Sequence, residues 1–167
     1  RKVRASVLFA GPLVARTGRA VVHPPGGDVI GRRRIDTHIA GLRALGVRVE
    51  GGDDYTFTGK ALRGADILLD EASVTATENI LMAAATADGV TTVYNAACEP
   101  HVQDLGALLE KMGAAIRGLG TNRLTIEGVR DLHGAEHTIG PDYIEAGSYL
   151  CAAAVTGGEI TIPGLAA

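Results

Sequence analysis

The sequence predicts a mixed α/β (α+β) domain with sheets outside and helices buried. Three observations lead to this class. Apolar residues recur at helical spacing in some segments and alternate as in strands in others. Glycine and proline separate these segments. The same order of elements returns after about 70 residues, a period with mixed elements that favours layered α/β packing over the common solenoids.

Composition excludes several classes of protein. The 167 residues carry a net charge of −3, a mean hydropathy of +0.16 and 46% hydrophobic residues, which exclude a disordered chain. No apolar run reaches the ~18 residues of a membrane helix, and no signal peptide is expected. The basic excess of a general nucleic-acid binder is missing. Without a secretion signal, Cys98 and Cys151 are expected to stay reduced.

The first half of the chain begins with a helix-like segment and ends in a hairpin. Ile35, Ile39 and Leu42 follow helical spacing, and Gly46 is a typical helix stop. The predicted elements are a helix-like Ser6–Thr17 interrupted by Gly11-Pro12, a strand Arg19–His23, a helix Ile35–Leu45, and strands Val47–Glu50 and Tyr55–Thr58.

The second half repeats this order. Leu105, Leu108 and Met112 share one helix face, and glycines are again expected to end the helices. The predicted strands are Asp66–Leu69, Val90–Tyr94, Ala114–Arg117, Arg123–Glu127, His137–Ile139 and Glu159–Ile162. The predicted helices, with their stops, are an alanine-rich Thr75–Asp88 before Gly89, Pro100–Met112 before Gly113, and Tyr143–Thr156 before Gly157.

Two alignments within the chain define a repeat. Leu42–Gly46 matches Leu109–Gly113 at an offset of 67, and Ala83–Ala85 matches Ala152–Ala154 at an offset of 69. The predicted unit has the order β-α-β-α-β-β, with units at roughly 1–63, 64–131 and 132–167. Because the third unit stops early, we expect one incomplete domain of a longer protein.

The loop Pro24–Arg34 concentrates the chemistry. Its glycines let backbone N–H groups approach an anion, and Arg32, Arg33 and Arg34 offer permanently charged donors to phosphate or carboxylate. Asp28 beside them is a candidate proton-transfer group. A solvated surface loop is the alternative. A Walker phosphate loop is disfavoured because arginines follow where Lys and Ser or Thr are required.

Histidine patterns do not predict a metal site. His133–His137 matches H-x-x-E-H, but that zinc pattern needs a helix, and Gly134 lies inside it. His23, His38 and His101 are isolated, which is typical of capping or surface residues. No metal and no cofactor are therefore expected.

A second polar loop precedes the alanine-rich helix. Between Asp70 and Asn79, the hydroxyls of Ser73, Thr75 and Thr77 are candidates for helix capping or for hydrogen bonds to a ligand. Capping is the safer interpretation from the local pattern alone.

Several blocks keep a familiar order and spacing over nearly the whole chain. They are Arg4–Ser6, Gly11–Leu13, Gly26–His38, Ser73–Met82, Asn95–Pro100, Leu124–Val129 and Pro141–Gly147. Together they resemble the family of UDP-N-acetylglucosamine enolpyruvyl transferases. The resemblance implies two similar domains, each an inside-out α/β barrel of three β-α-β-α-β-β units around buried helices. This chain would hold most of one domain and have the other as its partner.

The resemblance also implies a reaction. The enolpyruvyl group of phosphoenolpyruvate would move to the 3-hydroxyl of UDP-N-acetylglucosamine, with release of phosphate. This is the first committed step of bacterial peptidoglycan synthesis, and it belongs to cell-wall growth, cell shape and cell division. A cytoplasmic transferase without nucleic-acid or membrane partners is therefore expected.

Site residues follow from the matching positions. The resemblance implies phosphoenolpyruvate contacts for Arg4 and Arg33, uridine contacts for Ile35, Asp36 and Thr37, and diphosphate contacts for Ser73, Val74 and Thr75. Arg34, which adjoins these positions, is also expected to contact substrate.

This chain departs from the family pattern at four positions in or beside these segments. Asp28 occupies the position of the general acid that is usually cysteine, so a proton donor is kept and a thiolate nucleophile is lost. Arg34 replaces a common proline, Glu71 a frequent lysine, and Thr75 a frequent glycine. The last two changes bear directly on diphosphate binding.

Three other functions agree less well with the sequence. A 5-enolpyruvylshikimate-3-phosphate synthase-like enzyme is disfavoured by the Gly26–His38 block, and a non-catalytic sugar-nucleotide-binding module by the retained Asp28, Arg33 and Arg4. RNA 3′-phosphate cyclases share related repeats, but the net charge of −3 and the 4% aromatic content disfavour RNA.

Overall fold

A computed structural model describes residues 3–27 and 35–165, and the chain divides into two compact units after residue 136. The first unit begins with a 3-10 helix, Arg4–Phe9. It continues with α1 (Ala10–Thr17), β1 (Arg19–Val22), α2 (Asp36–Ala44), β2 (Arg48–Glu50), β3 (Tyr55–Thr58), β4 (Asp66–Leu68), α3 (Val74–Ala84), β5 (Val90–Tyr94), α4 (Pro100–Lys111), β6 (Ala115–Arg117) and β7 (Arg123–Glu127). The second unit contains α5 (Tyr143–Thr156).

Two sheets form in the first unit. The first has the strand order β1-β3-β2 and is antiparallel throughout, with Phe57 of β3 paired to Ala20 on one side and Val49 on the other. The second has the order β4-β5-β7-β6, with β4 parallel to β5 and the other pairs antiparallel. In both sheets the second strand of a hairpin lies in the middle. The mixed α/β class predicted from the sequence is confirmed.

Helix α3 lies at the centre of the helical packing and contacts α1, α2 and α4. Seven of its eleven residues are buried, and Ala83 and Ala84 at its end, with Ala85 directly after it, are fully buried. Close approach to its neighbours requires glycine, because a Cβ at Gly11 or Gly41 would overlap the backbone of Asn79 or the side chain of Ile80. The expected burial of the alanine-rich helix is confirmed.

Most predicted boundaries agree with the structure, including three of the four helix stops. Gly46, Gly113 and Gly157 follow α2, α4 and α5 with positive φ, from 65° to 102°, as expected of glycines that end helices. The stop predicted at Gly89 is wrong, because α3 ends at Ala84 and Ala85 caps it in the αR conformation. The predicted interruption at Gly11-Pro12 is wrong. Pro12 is the third residue of α1, where a backbone N–H has no partner inside the helix, so proline is accommodated.

Two strands predicted near the end of the chain are also wrong. Residues 137–139 and 159–162 are not strands, although their apolar residues favour that structure. A strand needs a neighbour for its hydrogen bonds, and the described part of the second unit contains no paired strand. None of the helices in the described ranges combines the length and apolar character that crossing a bilayer demands.

Candidate functional site

The predicted site residues of the described chain lie on three segments. Arg4 is in the 3-10 helix, Ile35 precedes α2 and Asp36 and Thr37 form its first turn, and Ser73, Val74 and Thr75 begin α3. Asp28, Arg33 and Arg34 lie outside the described residues.

Thr37 joins the start of α2 to the loop before α3. Its hydroxyl donates to Asp70 Oδ1 at 2.8 Å and lies 3.4 Å from Glu71 Oε1. The side chain is 5% exposed, so the bond is largely shielded from water. The start of α2, which the resemblance assigns to uridine binding, is thus connected to the loop that leads into the candidate diphosphate residues at the start of α3. Glu71 accepts from this threonine and places a carboxylate where the family often has a cation.

Ser73 is the N-cap of α3. Its Oγ accepts from the N–H of Ala76 at 3.3 Å, the bond expected of a capping serine. Thr77 instead donates its hydroxyl to the Ser73 carbonyl at 2.8 Å and accepts from Ala97 N at 3.0 Å. Capping is therefore confirmed for Ser73, and it is wrong for Thr75 and Thr77, whose hydroxyls have other partners.

The first turn of α3 keeps backbone donors available. Within the described chain, no hydrogen bond engages the N–H groups of Val74 and Thr75, whereas those of Ala76 and Thr77 bond to Ser73. Unpaired N–H groups at the start of a helix are suited to an anion, because the helix dipole adds partial positive charge there. The geometry is suited to phosphate oxygens.

His38 and Asn79 form a buried polar connection between these segments. His38 Nε2 lies 3.1 Å from Thr75 Oγ1, and its Nδ1 lies 3.1 Å from Asn79 Nδ2. Asn79 also donates to the Val7 carbonyl at 2.9 Å and accepts from Gly11 N at 2.6 Å. All these groups are on the first unit, and they connect the 3-10 helix, α1, α2 and α3.

Burial keeps His38 uncharged. Its side chain is 2% exposed, and desolvation, with a smaller effect from the nearby Arg4 charge, lowers the pKa of His38 from 6.5 to about 4. The expectation that His38 is a capping or surface residue is therefore wrong. The local sequence could not reveal this, because its partners Thr75 and Asn79 lie 37 and 41 residues away. His23 does lie on the surface, where it pairs with Asp54.

The Asn95–Pro100 block supports the same loop from behind. Asn95 adopts a positive φ of 56° and donates its amide to the Leu69 carbonyl at 3.0 Å, directly before Asp70. Ala97 binds the Thr77 hydroxyl, as described above. This block therefore fixes the backbone on both sides of the candidate diphosphate loop.

Comparisons with known proteins agree on one family. The family model described as EPSP synthase (3-phosphoshikimate 1-carboxyvinyltransferase) matches residues 1–167. A relative from Treponema denticola named UDP-N-acetylglucosamine 1-carboxyvinyltransferase is 62% identical over 161 residues, and one of the same name from Treponema pallidum is 59% identical over 162. These matches cover 96% and 97% of the chain but 38% of each relative.

Solved structures of enolpyruvyl transferases share the fold. The enolpyruvyl transferase NikO of Streptomyces tendae superposes with a TM-score of 0.70 at 25% identity, over 87% of this chain and 35% of that one. An EPSP synthase of Acinetobacter baumannii gives a TM-score of 0.65 at 24% identity, over 89% of this chain and 34% of that one.

Proposed function

The chain belongs to the family of EPSP synthase (3-phosphoshikimate 1-carboxyvinyltransferase), and from this premise we propose that the protein containing it is a UDP-N-acetylglucosamine 1-carboxyvinyltransferase. It moves the enolpyruvyl group of phosphoenolpyruvate to the 3-hydroxyl of UDP-N-acetylglucosamine and releases phosphate. The observation that carries the proposal is the 62% identity to a relative of that name, which extends over 96% of the chain.

The described residues support a role in binding the nucleotide. Among the described residues, none accepts from the backbone N–H groups of Val74 and Thr75 at the start of α3, and Ser73 fixes that turn by capping it. Phosphate oxygens are ligands that such a helix start accepts. Thr37, in the first turn of α2, is hydrogen-bonded to the same loop, and it is assigned to the uridine side together with its neighbours Ile35 and Asp36. Arg34 is assigned to substrate binding.

Charge neutralisation and proton transfer are assigned to the remaining candidates. Arg4 and Arg33 neutralise the carboxylate and phosphate of phosphoenolpyruvate, which favours an approaching acceptor hydroxyl. Asp28, in its protonated form, delivers a proton to the methylene carbon, so that the adjacent carbon becomes electrophilic and bonds to the acceptor oxygen. As that bond forms, the acceptor hydroxyl gives up its proton, which leaves with the phosphate when the carbon–oxygen bond to phosphate breaks. One methyl proton returns to the Asp28 carboxylate, which restores both the double bond and the acid.

The domain organisation is part of this proposal. We assign the chain to an inside-out α/β barrel of repeated units at roughly 1–63, 64–131 and 132–167, in a two-domain enzyme whose other domain completes the site. The matching strand orders β1-β3-β2 and β5-β7-β6 support the repeat. The reaction places the protein in the cytoplasm, at the first committed step of peptidoglycan synthesis, with consequences for cell shape and division.

A phosphate-release assay on the full-length protein that contains this chain (the gene-encoded protein) tests the proposal. Phosphoenolpyruvate is supplied with either UDP-N-acetylglucosamine or 3-phosphoshikimate as acceptor. Phosphate release with the sugar nucleotide alone is expected. Release with 3-phosphoshikimate would instead favour the sister reaction, and calorimetric binding of the nucleotide without any turnover would identify a non-catalytic module.

Asp28 provides a second test of the same proposal. Asp28→Asn is expected to lower kcat by about 10²–10⁴-fold, the usual contribution of general acid catalysis. The unmodified enzyme should resist fosfomycin, an epoxide that alkylates the family's cysteine, whereas Asp28→Cys should remain active and become sensitive. Inactivation of the unmodified enzyme by low fosfomycin would contradict the assignment.

A further inference from the structure

We infer that Thr75 is a specificity-determining residue that donates its hydroxyl hydrogen to an oxygen of the substrate diphosphate, and that Asn79 and His38 are positioning residues that fix this direction. The inference rests on the proposed function, because the diphosphate is that of the proposed sugar nucleotide. It follows from the hydrogen-bond directions in the buried polar connection, taken one bond at a time.

The backbone determines the orientation of the Asn79 amide. Gly11 N–H can only donate, so the atom 2.6 Å away is the carbonyl oxygen Oδ1. The Val7 carbonyl can only accept, so its partner at 2.9 Å is the amide nitrogen Nδ2. Because both backbone contacts demand the same orientation, a flipped amide is excluded. Asn79 is fully buried, so water cannot substitute for either bond.

The Asn79 amide then determines the tautomer of His38. The second hydrogen of Nδ2 points to His38 Nδ1 at 3.1 Å, so Nδ1 must accept and carries no hydrogen. A neutral imidazole holds its single hydrogen on the other nitrogen, Nε2. Burial keeps the ring neutral, in line with the lowered pKa of His38. The Nε2–H group therefore donates to Thr75 Oγ1 at 3.1 Å.

Thr75 is left with a hydrogen to donate. A threonine hydroxyl has one hydrogen, and the bond from His38 occupies a lone pair instead. No described residue accepts that hydrogen. Thr75 is half-buried in the first turn of α3, and its backbone N–H is also without a partner within the described ranges. One residue thus presents two donors where phosphate oxygens are proposed to bind.

The local charge explains why this donor matters. Glu71 stands where the resemblance gives a frequent lysine, and with Asp70 it accepts from Thr37 rather than neutralising a diphosphate. Glycine, frequent at position 75, has no side-chain donor. The Thr75 hydroxyl therefore supplies a contact that partly replaces the missing cation.

Steady-state kinetics on the gene-encoded protein test the donor. Thr75→Val keeps the shape and removes the hydroxyl, so the KM for UDP-N-acetylglucosamine should rise roughly 10- to 100-fold, as for a lost hydrogen bond to a charged group. The KM for phosphoenolpyruvate should change less than about threefold. Thr75→Ser should restore nucleotide binding. Thr91→Val, a matched change at a buried hydroxyl of β5, should leave both KM values unchanged.

Asn79→Asp tests the positioning role. A carboxylate can only accept, so the imidazole hydrogen should move to Nδ1, and Nε2 should then accept from Thr75. The Thr75 hydroxyl hydrogen is consumed, and the KM for the nucleotide should rise as in Thr75→Val although the hydroxyl is present. Histidine ¹⁵N spectra of the full protein should show the Nε2–H tautomer of His38 before the change and lose it afterwards.

The outcomes separate this inference from the proposed function. Normal turnover with an unchanged nucleotide KM in Thr75→Val would overturn the inference alone. An Nδ1–H tautomer in the unmodified protein would also overturn it, whatever the fold stability of Asn79→Asp. Absence of both turnover and nucleotide binding in the unmodified protein would overturn the proposed function and this inference together.

Discussion

Acidification is expected to destabilise the protein through His38. The unfolded chain binds a proton at this residue with a pKa near 6.5, whereas the folded state does so only at about 4. Between these values the unfolded state holds more protons, so the free energy of unfolding rises with pH. The contribution is complete above pH 6.5 or so and is lost as the pH falls toward 4.

The size of the effect follows from the two pKa values. Lowering the pH from about 7 to about 4.5 should lower the free energy of unfolding by about 2 kcal/mol, which is roughly a 30-fold change in the folding equilibrium constant. Glu78 acts in the opposite direction. Burial of Glu78 raises its pKa above 4.5 and outweighs the opposing effect of the His101 charge. The contribution of Glu78 to the free energy of unfolding therefore falls as the pH rises through its folded-state pKa. A difference between two variants is therefore needed.

The assay is urea unfolding of the full-length protein that contains this chain, at several pH values. Hydrogen exchange of the α2 and α3 amides reports unfolding of this region. His38→Gln is the comparison variant, because it keeps a donor near Thr75 and cannot titrate. On acidification the unmodified protein should lose about 2 kcal/mol more unfolding free energy than His38→Gln does. A constant difference across this range would refute the reasoning, since His38 would then titrate alike in both states.

Three further predictions concern the Asn79 hydrogen bonds, the close contact at Gly11 and the activity of the isolated chain. Asn79→Ala should destabilise the first unit by roughly 3–5 kcal/mol, because the Gly11 N–H, the Val7 carbonyl and His38 Nδ1 lose their partner. Thr91→Val is the control in the same unfolding measurement. It should be neutral or stabilising by about 1 kcal/mol, since within the described chain the buried Thr91 Oγ1 has no partner. Gly11→Ala should lower the thermal midpoint and cost roughly 1–3 kcal/mol or more, because the new Cβ meets the backbone of Asn79, while Gly134→Ala, with open space around it, should have no effect. The isolated 167-residue chain should show no phosphate release, because the resemblance assigns further catalytic groups to the other domain; measurable turnover by the purified chain would contradict this.

Local sequence patterns predicted the elements whose signals are local. The strands Tyr55–Thr58, Val90–Tyr94 and Arg123–Glu127 and the helix Tyr143–Thr156 have the predicted bounds, because alternation or helical spacing ends there at turn residues. The strand predicted at residues 137–139 failed because pairing depends on a distant neighbour. The same limit applies to the site.

The distance along the chain between hydrogen-bond partners explains which site residues could be recognised from the sequence. Ser73 was recognisable as a cap because its partner is three residues away. His38 and Asn79 were not recognised as connected, since neither residue has a partner within one helical turn that reveals its role. Their pairing depends on how α2 packs against α3, which the glycine at position 41 permits.

The two close glycine contacts of α3 constrain sequence change in different ways. At position 11 a side chain would meet the backbone carbonyl of residue 79, which every amino acid possesses, so no change at 79 compensates for losing Gly11. At position 41 the obstacle is the Ile80 side chain, which a smaller residue would remove. Positions 41 and 80 should therefore covary by size across related sequences, while position 11 should stay invariant whatever its neighbours become.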